Sequence, residues 1–161
     1  MTVVSNAGPL IALARIRETE WLPRLYGDIL VPEAVHREII KPDKKRAGVD
    51  TFVNASWLRV ESVSEQAAVR QLRSTLDAGE SEAIVLALER EADILLMDEA
   101  LGRRVADARG VALSGTLGVL LLAKEEGLID DLTAVLDRLI STGFRIGDAL
   151  YEFVLEQAGE A

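Results

Sequence analysis

The stretch from Leu76 to Leu113, LDAGESEAIVLALEREADILLMDEALGRRVADARGVAL, carries acids at two positions where chemistry is plausible. Glu80 follows Gly79 at the start of a predicted helix whose apolar residues are Ala83, Ile84, Ala87 and Leu88. At about 100° per residue those four share one face, and Glu80 falls in line with them at the N-terminal end. Glu82 points roughly the other way, with Glu89. A carboxylate in line with a buried stripe must be paired or bind a cation, because an isolated buried charge is costly. Asp98 directly follows the apolar run Ile94-Leu95-Leu96-Met97. Ligand sites of doubly wound sheets lie just beyond the carboxyl ends of their strands. An acid at a helix start and one at a strand end can meet at that edge.

Two further residues can join them. Asn6 stands where the β-branched run Thr2 to Ser5 stops and a helix through Leu10-Ile11-Ala12-Leu13-Ala14 begins. Its plain reading is a helix N-cap, with Pro9 tolerated in the first turn. Glu38 lies inside the helical segment PEAVHREII, either as a surface acid or as a third member of the cluster. Oxygen donors of this kind suit Mg²⁺ or Mn²⁺ rather than zinc. Such a cluster can activate water and stabilise the leaving oxygen of a phosphodiester. Other chemistries find less support. There is no cysteine, and His36 is the single histidine. Neither VSNAGPL nor SGTLGVL has the spacing of a phosphate-binding glycine loop, and no G-x-S-x-G elbow accompanies His36. The D-x-D start of a phosphatase is also missing after the first strand.

Short apolar runs alternate with helical segments along the chain. Thr2–Ser5, Ile29–Val31, Trp57–Val60, Ile94–Met97 and Val111–Leu113 read as strands. Helices are predicted over Thr19–Tyr26 (with Pro23 inside), Pro32–Ile40, Ser64–Leu76 capped by Ser64, Leu117–Gly127, Asp130–Ser141 and Gly147–Gln157. Lys41 to Arg46, KPDKKR, reads as a basic loop able to hold phosphates if it lies beside the acids. The alternation predicts one α/β domain over residues 1–161: three α/β/α layers around a parallel sheet of about four to five strands. Right-handed crossovers bring the ends of the first, second and fourth runs to one edge, so Asn6, Glu38, Glu80 and Asp98 can converge there.

Composition bounds the rest. The 161 residues, 49% of them hydrophobic, are enough for a real core. No apolar run approaches a membrane span and no leader pattern opens the chain, which with the lack of cysteine fits a cytoplasmic protein. The net charge of −9 is unevenly spread: residues 1–75 hold 11 Lys/Arg and 9 Asp/Glu (+2), residues 76–161 hold 7 and 18 (−11). An acidic total excludes a general nucleic-acid coat yet leaves room for a local basic track.

Four segments together resemble a known family. VVSNAGPLIALARI, VPEAVHREI, LDAGESEAIVLALEREADILLMDEALGRRVA and SGTLGVLLLAKEEGLI follow the order of the PIN domain nucleases, and the tail from Ile129 is similar to the branch found as toxins of toxin–antitoxin pairs. The resemblance implies a parallel sheet between helices, with acids that bind Mg²⁺ or Mn²⁺ and cleave RNA. It places Asn6, Glu38, Glu80 and Asp98 at the catalytic and metal-ligating positions, with Glu82 and Glu99 as outer candidates and Glu99 as a fourth or water-mediated contact. Asn6 stands where the family usually carries Asp; it offers a carbonyl oxygen without charge, so metal affinity is expected to fall.

On that reading Asp98 takes the proton from the attacking water, while Lys41, Lys44, Lys45, Arg46, Arg103 and Arg104 grip RNA phosphates. A small antitoxin and a homodimer are the implied partners, with Leu10–Leu13 and Leu117–Ala123 as the apolar surface. A non-catalytic module that keeps the fold and holds RNA or a protein is the competing expectation. A Mg²⁺-dependent phosphotransfer enzyme acting on small molecules is the third.

Overall fold

All five apolar runs meet a short parallel strand, the last of them only at Leu113, and the inner strands, largely covered on both faces, need no polar alternation. A computed structural model of the chain describes residues 1–41 and 49–161. Its strands are β1 (Val3–Ser5), β2 (Ile29–Pro32), β3 (Leu58–Glu61), β4 (Ile94–Leu96) and β5 (Leu113–Ser114). All pair in parallel, in the order β3-β2-β1-β4-β5. The register sets Val3 beside both Ile29 and Ile94, so β1 is the central strand. Strand order reverses there, since β2 and β3 lie to one side of β1 and β4 and β5 to the other.

The helices are α1 (Ala7–Arg15), α2 (Trp21–Tyr26), α3 (Glu33–Ile40), α4 (Val49–Val53), α5 (Gln66–Leu72), α6 (Ala78–Glu89), α7 (Ala100–Ala108), α8 (Thr116–Glu125), α9 (Leu132–Ser141) and α10 (Asp148–Gln157). They flank the sheet in groups, α6 packing on α3 and α5, and α8 on α1, α2 and α9. The result is a three-layer α/β/α fold with one core, in which Leu10, Leu13, Ile84, Leu95, Leu96 and Leu120 are fully buried.

Several local expectations change. α6 is not a one-faced helix: Gly79, Ser81, Ala83, Ile84, Val85, Leu86 and Ala87 are all buried, whereas Leu88 is 41% exposed. The helix is wrapped by β1, β2, α3 and α5, so its small and aliphatic residues meet neighbours on most sides. Ser64 does not cap α5 with its own side chain. Glu89 reaches across instead, its Oε1 accepting from the backbone N–H groups of Ser64 (2.8 Å) and Glu65 (2.6 Å), and the helix is shorter than expected. α4 falls in a stretch with no predicted element. Pro23 is accommodated because it sits in the first turn of α2, where backbone N–H groups have no intrahelical partner.

Most of the apolar character of the proposed dimer surface is used inside the chain. Leu10, Ala12 and Leu13 are buried, as are Val119, Leu120 and Ala123. Ile11, Leu117, Leu121 and Leu122 remain half-buried.

Candidate active site

The carboxyl ends of β1, β2 and β4 open onto one edge of the sheet, at the point where strand order reverses. A polar cavity of about 320 Å³ lies there, lined by Asn6, Glu38, Asp77, Glu80, Asp98 and Glu99. Asn6 occupies the N-cap position of α1, and its backbone N–H donates to Leu96 O at 2.9 Å, pinning the end of β1 to β4. Its carboxamide does not cap the helix. A β-carbon on Gly79 would lie 3.4 Å from Glu38 Oε2 and 3.5 Å from Asn6 Oδ1, so both side chains face the first turn of α6. Asp77 caps α6, its Oδ1 accepting from Glu80 N–H at 2.8 Å. That bond holds the two acids side by side.

Asp98 is held at both of its carboxylate oxygens. Thr116, fully buried at the start of α8, donates its backbone N–H to Asp98 Oδ1 (2.8 Å) and its hydroxyl to Oδ2 (2.6 Å). The carboxylate thus sits at a helix N-terminus, where the backbone dipole favours negative charge. Gly115 makes the approach possible, since a β-carbon there would come within 2.5 Å of Asp98 Oδ1. Gly102 plays a similar part on α7: its absent β-carbon leaves room for Met97 Sδ and for Glu80 Oε2, the latter 3.0 Å from where that carbon would be. Arg103 crosses beneath this group, donating from Nη1 to Met97 O at 2.8 Å.

The crowding of acids has an electrostatic signature. Burial pushes the Glu80 carboxyl up to about 7, helped by its hydrogen bond with Asp77 and by the charges of Asp77 and Glu99. Near neutrality Glu80 is therefore shared between its charged and protonated forms. Every donor facing the cavity is oxygen, which suits a hard divalent cation, and a cation would offset both the burial and the neighbouring charges that favour the protonated form of Glu80. Among the described residues no three acids already converge on one point, so binding requires side chains to turn inward.

The other expected residues divide clearly. Glu99, exposed at the N-cap of α7, lines the cavity. Glu82 does not; its Oε1 accepts from Ala34 N–H at 3.1 Å and so caps α3 from a neighbouring helix. Arg103 lines an adjoining cleft, whereas Arg104 is exposed and lines neither space. Lys41 is exposed after α3, and Lys44, Lys45 and Arg46 lie outside the described residues. His36 is half-buried on α3 and does not line the cavity.

Two residues escaped sequence reasoning. Asp77 had a signal: D-A-G-E, an N-cap acid three residues before a Glu, has capping-box spacing. Thr116 was legible only as a capping residue after the last strand, because its partner is 18 positions away.

A parallel sheet between helix layers, with an acid-lined cavity where strand order reverses, defines an α/β protein of the kind that binds ligands at its switch point. The DUF3368 family model, described as a PIN domain, matches residues 2–160, and the chain belongs to the PIN domain family. This is a nuclease fold that generally depends on divalent metal. Comparison with curated proteins and with solved structures finds no match.

Proposed function

We propose that this chain is a metal-dependent endoribonuclease that hydrolyses phosphodiester bonds of single-stranded RNA. The observation that carries the reading is the single oxygen-lined cavity shared by Asn6, Glu38, Glu80 and Asp98, four residues drawn from distant parts of a PIN-family chain. These four would hold Mg²⁺ or Mn²⁺, with Glu99 at the rim. When bound, the ion neutralises the acids and offsets charge on the scissile phosphate and its leaving oxygen.

The residues divide the remaining work. Asp98, with both oxygens already accepting from Thr116, is an oriented ligand and a poor mobile base. Glu80 lines the same cavity without both oxygens being held in this way, and it is the proton acceptor in this reading. Water adds to phosphorus, its proton passes to a Glu80 oxygen, and the phosphorus–oxygen bond to the leaving nucleotide breaks as that oxygen is protonated by solvent.

The test is cleavage of single-stranded RNA with Mn²⁺, with Mg²⁺ and with EDTA, beside Asp98→Asn and Glu80→Gln. Metal-dependent cutting that both substitutions abolish supports the assignment. A second reading, a non-catalytic module that holds RNA or a protein, is favoured by Asn6, which removes one charge from the donor set. No cutting by the native chain, with activity gained in Asn6→Asp, would support that reading.

The role as the toxin of a toxin–antitoxin pair, acting in the cytoplasm as a homodimer, rests on the family resemblance. Growth arrest on expression, relieved by a small co-expressed protein, would support the toxin role, and sedimentation tests the dimer. No helix among the described residues is long and apolar enough to cross a membrane.

A further inference from the structure

A second cleft, of about 600 Å³, adjoins the acid cavity and shares Asp98 and Glu99 with it. Its walls are unlike those of its neighbour. Leu113, Leu117 and Leu150 provide apolar surface, and Phe144 stands half-buried at the connection between α9 and α10. Two arginines line it as well, Arg103 on α7 and Arg145 beside Phe144. Neither makes an ion pair among the described residues, and Arg145 is exposed. Two unpaired cations in one cleft are notable where residues 76–161 carry 18 acids against 7 bases. An apolar and aromatic surface beside guanidinium groups matches a nucleotide, which presents a flat base and an anionic phosphate. The volume is in the range of small-ligand sites.

From this arrangement we infer that the cleft is a nucleotide subsite for single-stranded RNA, in which Phe144 stacks the base next to the scissile bond and Arg145 holds its phosphate. The inference rests on the RNA reading of the acid cavity, because a strand whose phosphate lies at Asp98 continues into the cleft through the shared wall. Arg103 is anchored to Met97 O by Nη1 and presents its remaining donors to the same strand. Sequence preference at this position follows stacking strength, since no base-edge donor or acceptor is required.

The test is binding of a fluorescent single-stranded RNA octamer to the full chain, by anisotropy, with Ca²⁺ replacing Mg²⁺ or Mn²⁺. Phe144→Ala is expected to raise Kd by about 5- to 140-fold and to leave the salt dependence unchanged. Phe144→Trp retains binding, and Phe144→Leu, which keeps apolar bulk for packing, behaves like Phe144→Ala. Arg145→Ala, at an exposed position where folding is not at risk, lowers the slope of log K against log salt by about 0.7. Native binding with unchanged Kd in Phe144→Leu and unchanged slope in Arg145→Ala overturns the subsite and leaves the nuclease reading standing. Failure of the native chain to bind RNA overturns both. Loss of binding in the variants of a chain that never cuts RNA supports the subsite and removes the nuclease reading.

Discussion

Replacing Glu80 with Gln should stabilise the metal-free protein at alkaline pH while removing the proposed ribonuclease activity. The carboxyl is held at about 7 in the folded chain against an ordinary value of 4.5, by burial first and then by Asp77 and Glu99. A raised carboxyl contributes stability below its unfolded value, and that contribution is lost as pH rises through about 7. Taken in full the displacement corresponds to about 3 kcal/mol. Glu80 is only half-buried, and screening by solvent reduces this to about 1–2 kcal/mol. Gln resembles the protonated acid in shape and can donate to Asp77, so the penalty is relieved without a cavity. For a chain of this length the gain appears as a rise in Tm of about 3–6 °C. The assay is thermal unfolding in EDTA at about pH 8.5 and about pH 4, flanking the window set by the two carboxyl values. The variant should be the more stable at the higher pH and equal to the native chain at the lower. An equal gain at both values, or none at the higher, would refute the claim that crowded carboxylates strain this edge. Added Mn²⁺ should raise the native Tm more than the variant's.

Other perturbations test separate parts of the structure. Gly115→Ala places a methyl group where Asp98 Oδ1 lies, at 2.5 Å, and must push the carboxylate away from Thr116. Nuclease activity should fall by about tenfold or more and stability by about 1–3 kcal/mol, measured by RNA cleavage and by denaturant titration. Glu82→Ala leaves the N–H of Ala34 uncapped and should cost about 0.5–2 kcal/mol with RNA cleavage per folded molecule unchanged, which separates this acid from the cavity. Glu160 behaves oppositely to Glu80. Burial raises its carboxyl, yet hydrogen bonds from Thr133, Leu132 and Lys124 outweigh that and bring it to about 2. Its contribution is complete above about pH 4.5 and disappears as pH falls towards about 2, so Glu160→Gln should lower Tm at neutral pH and converge with the native chain in strong acid.

How much of this was legible in advance differs from element to element. Period and composition located four of the five strands closely, because an inner strand buried on both faces leaves a compact apolar run; the edge strands are more exposed, and β5 begins only where the predicted run Val111–Leu113 ends. Asn6 and Asp98 were legible as strand-end residues for the same reason, and Glu80 as an acid at a helix start. Leu88 misled, since a helical stripe records only the amphipathic case and α6 is wrapped on most sides. Glu82 and Glu89 were legible only as acids pointing away from the apolar stripe, Glu82 being also an outer candidate for the metal, yet each caps another helix across 48 and 25 or 24 positions. No local pattern encodes such a bond.

By itself, then, the sequence determined the alternation of strands and helices, the parallel sheet and the supply of oxygen donors at its carboxyl edge. These follow from hydrophobic period and from the handedness of crossovers, which act over tens of residues. Only the tertiary structure decided which acids share a cavity, that burial together with Asp77 favours the protonated form of Glu80, that Thr116 grips Asp98, and that Phe144 and Arg145 stand beside them. Those outcomes depend on distances of a few ångströms between residues far apart in the chain, and such distances exist only once the layers have packed.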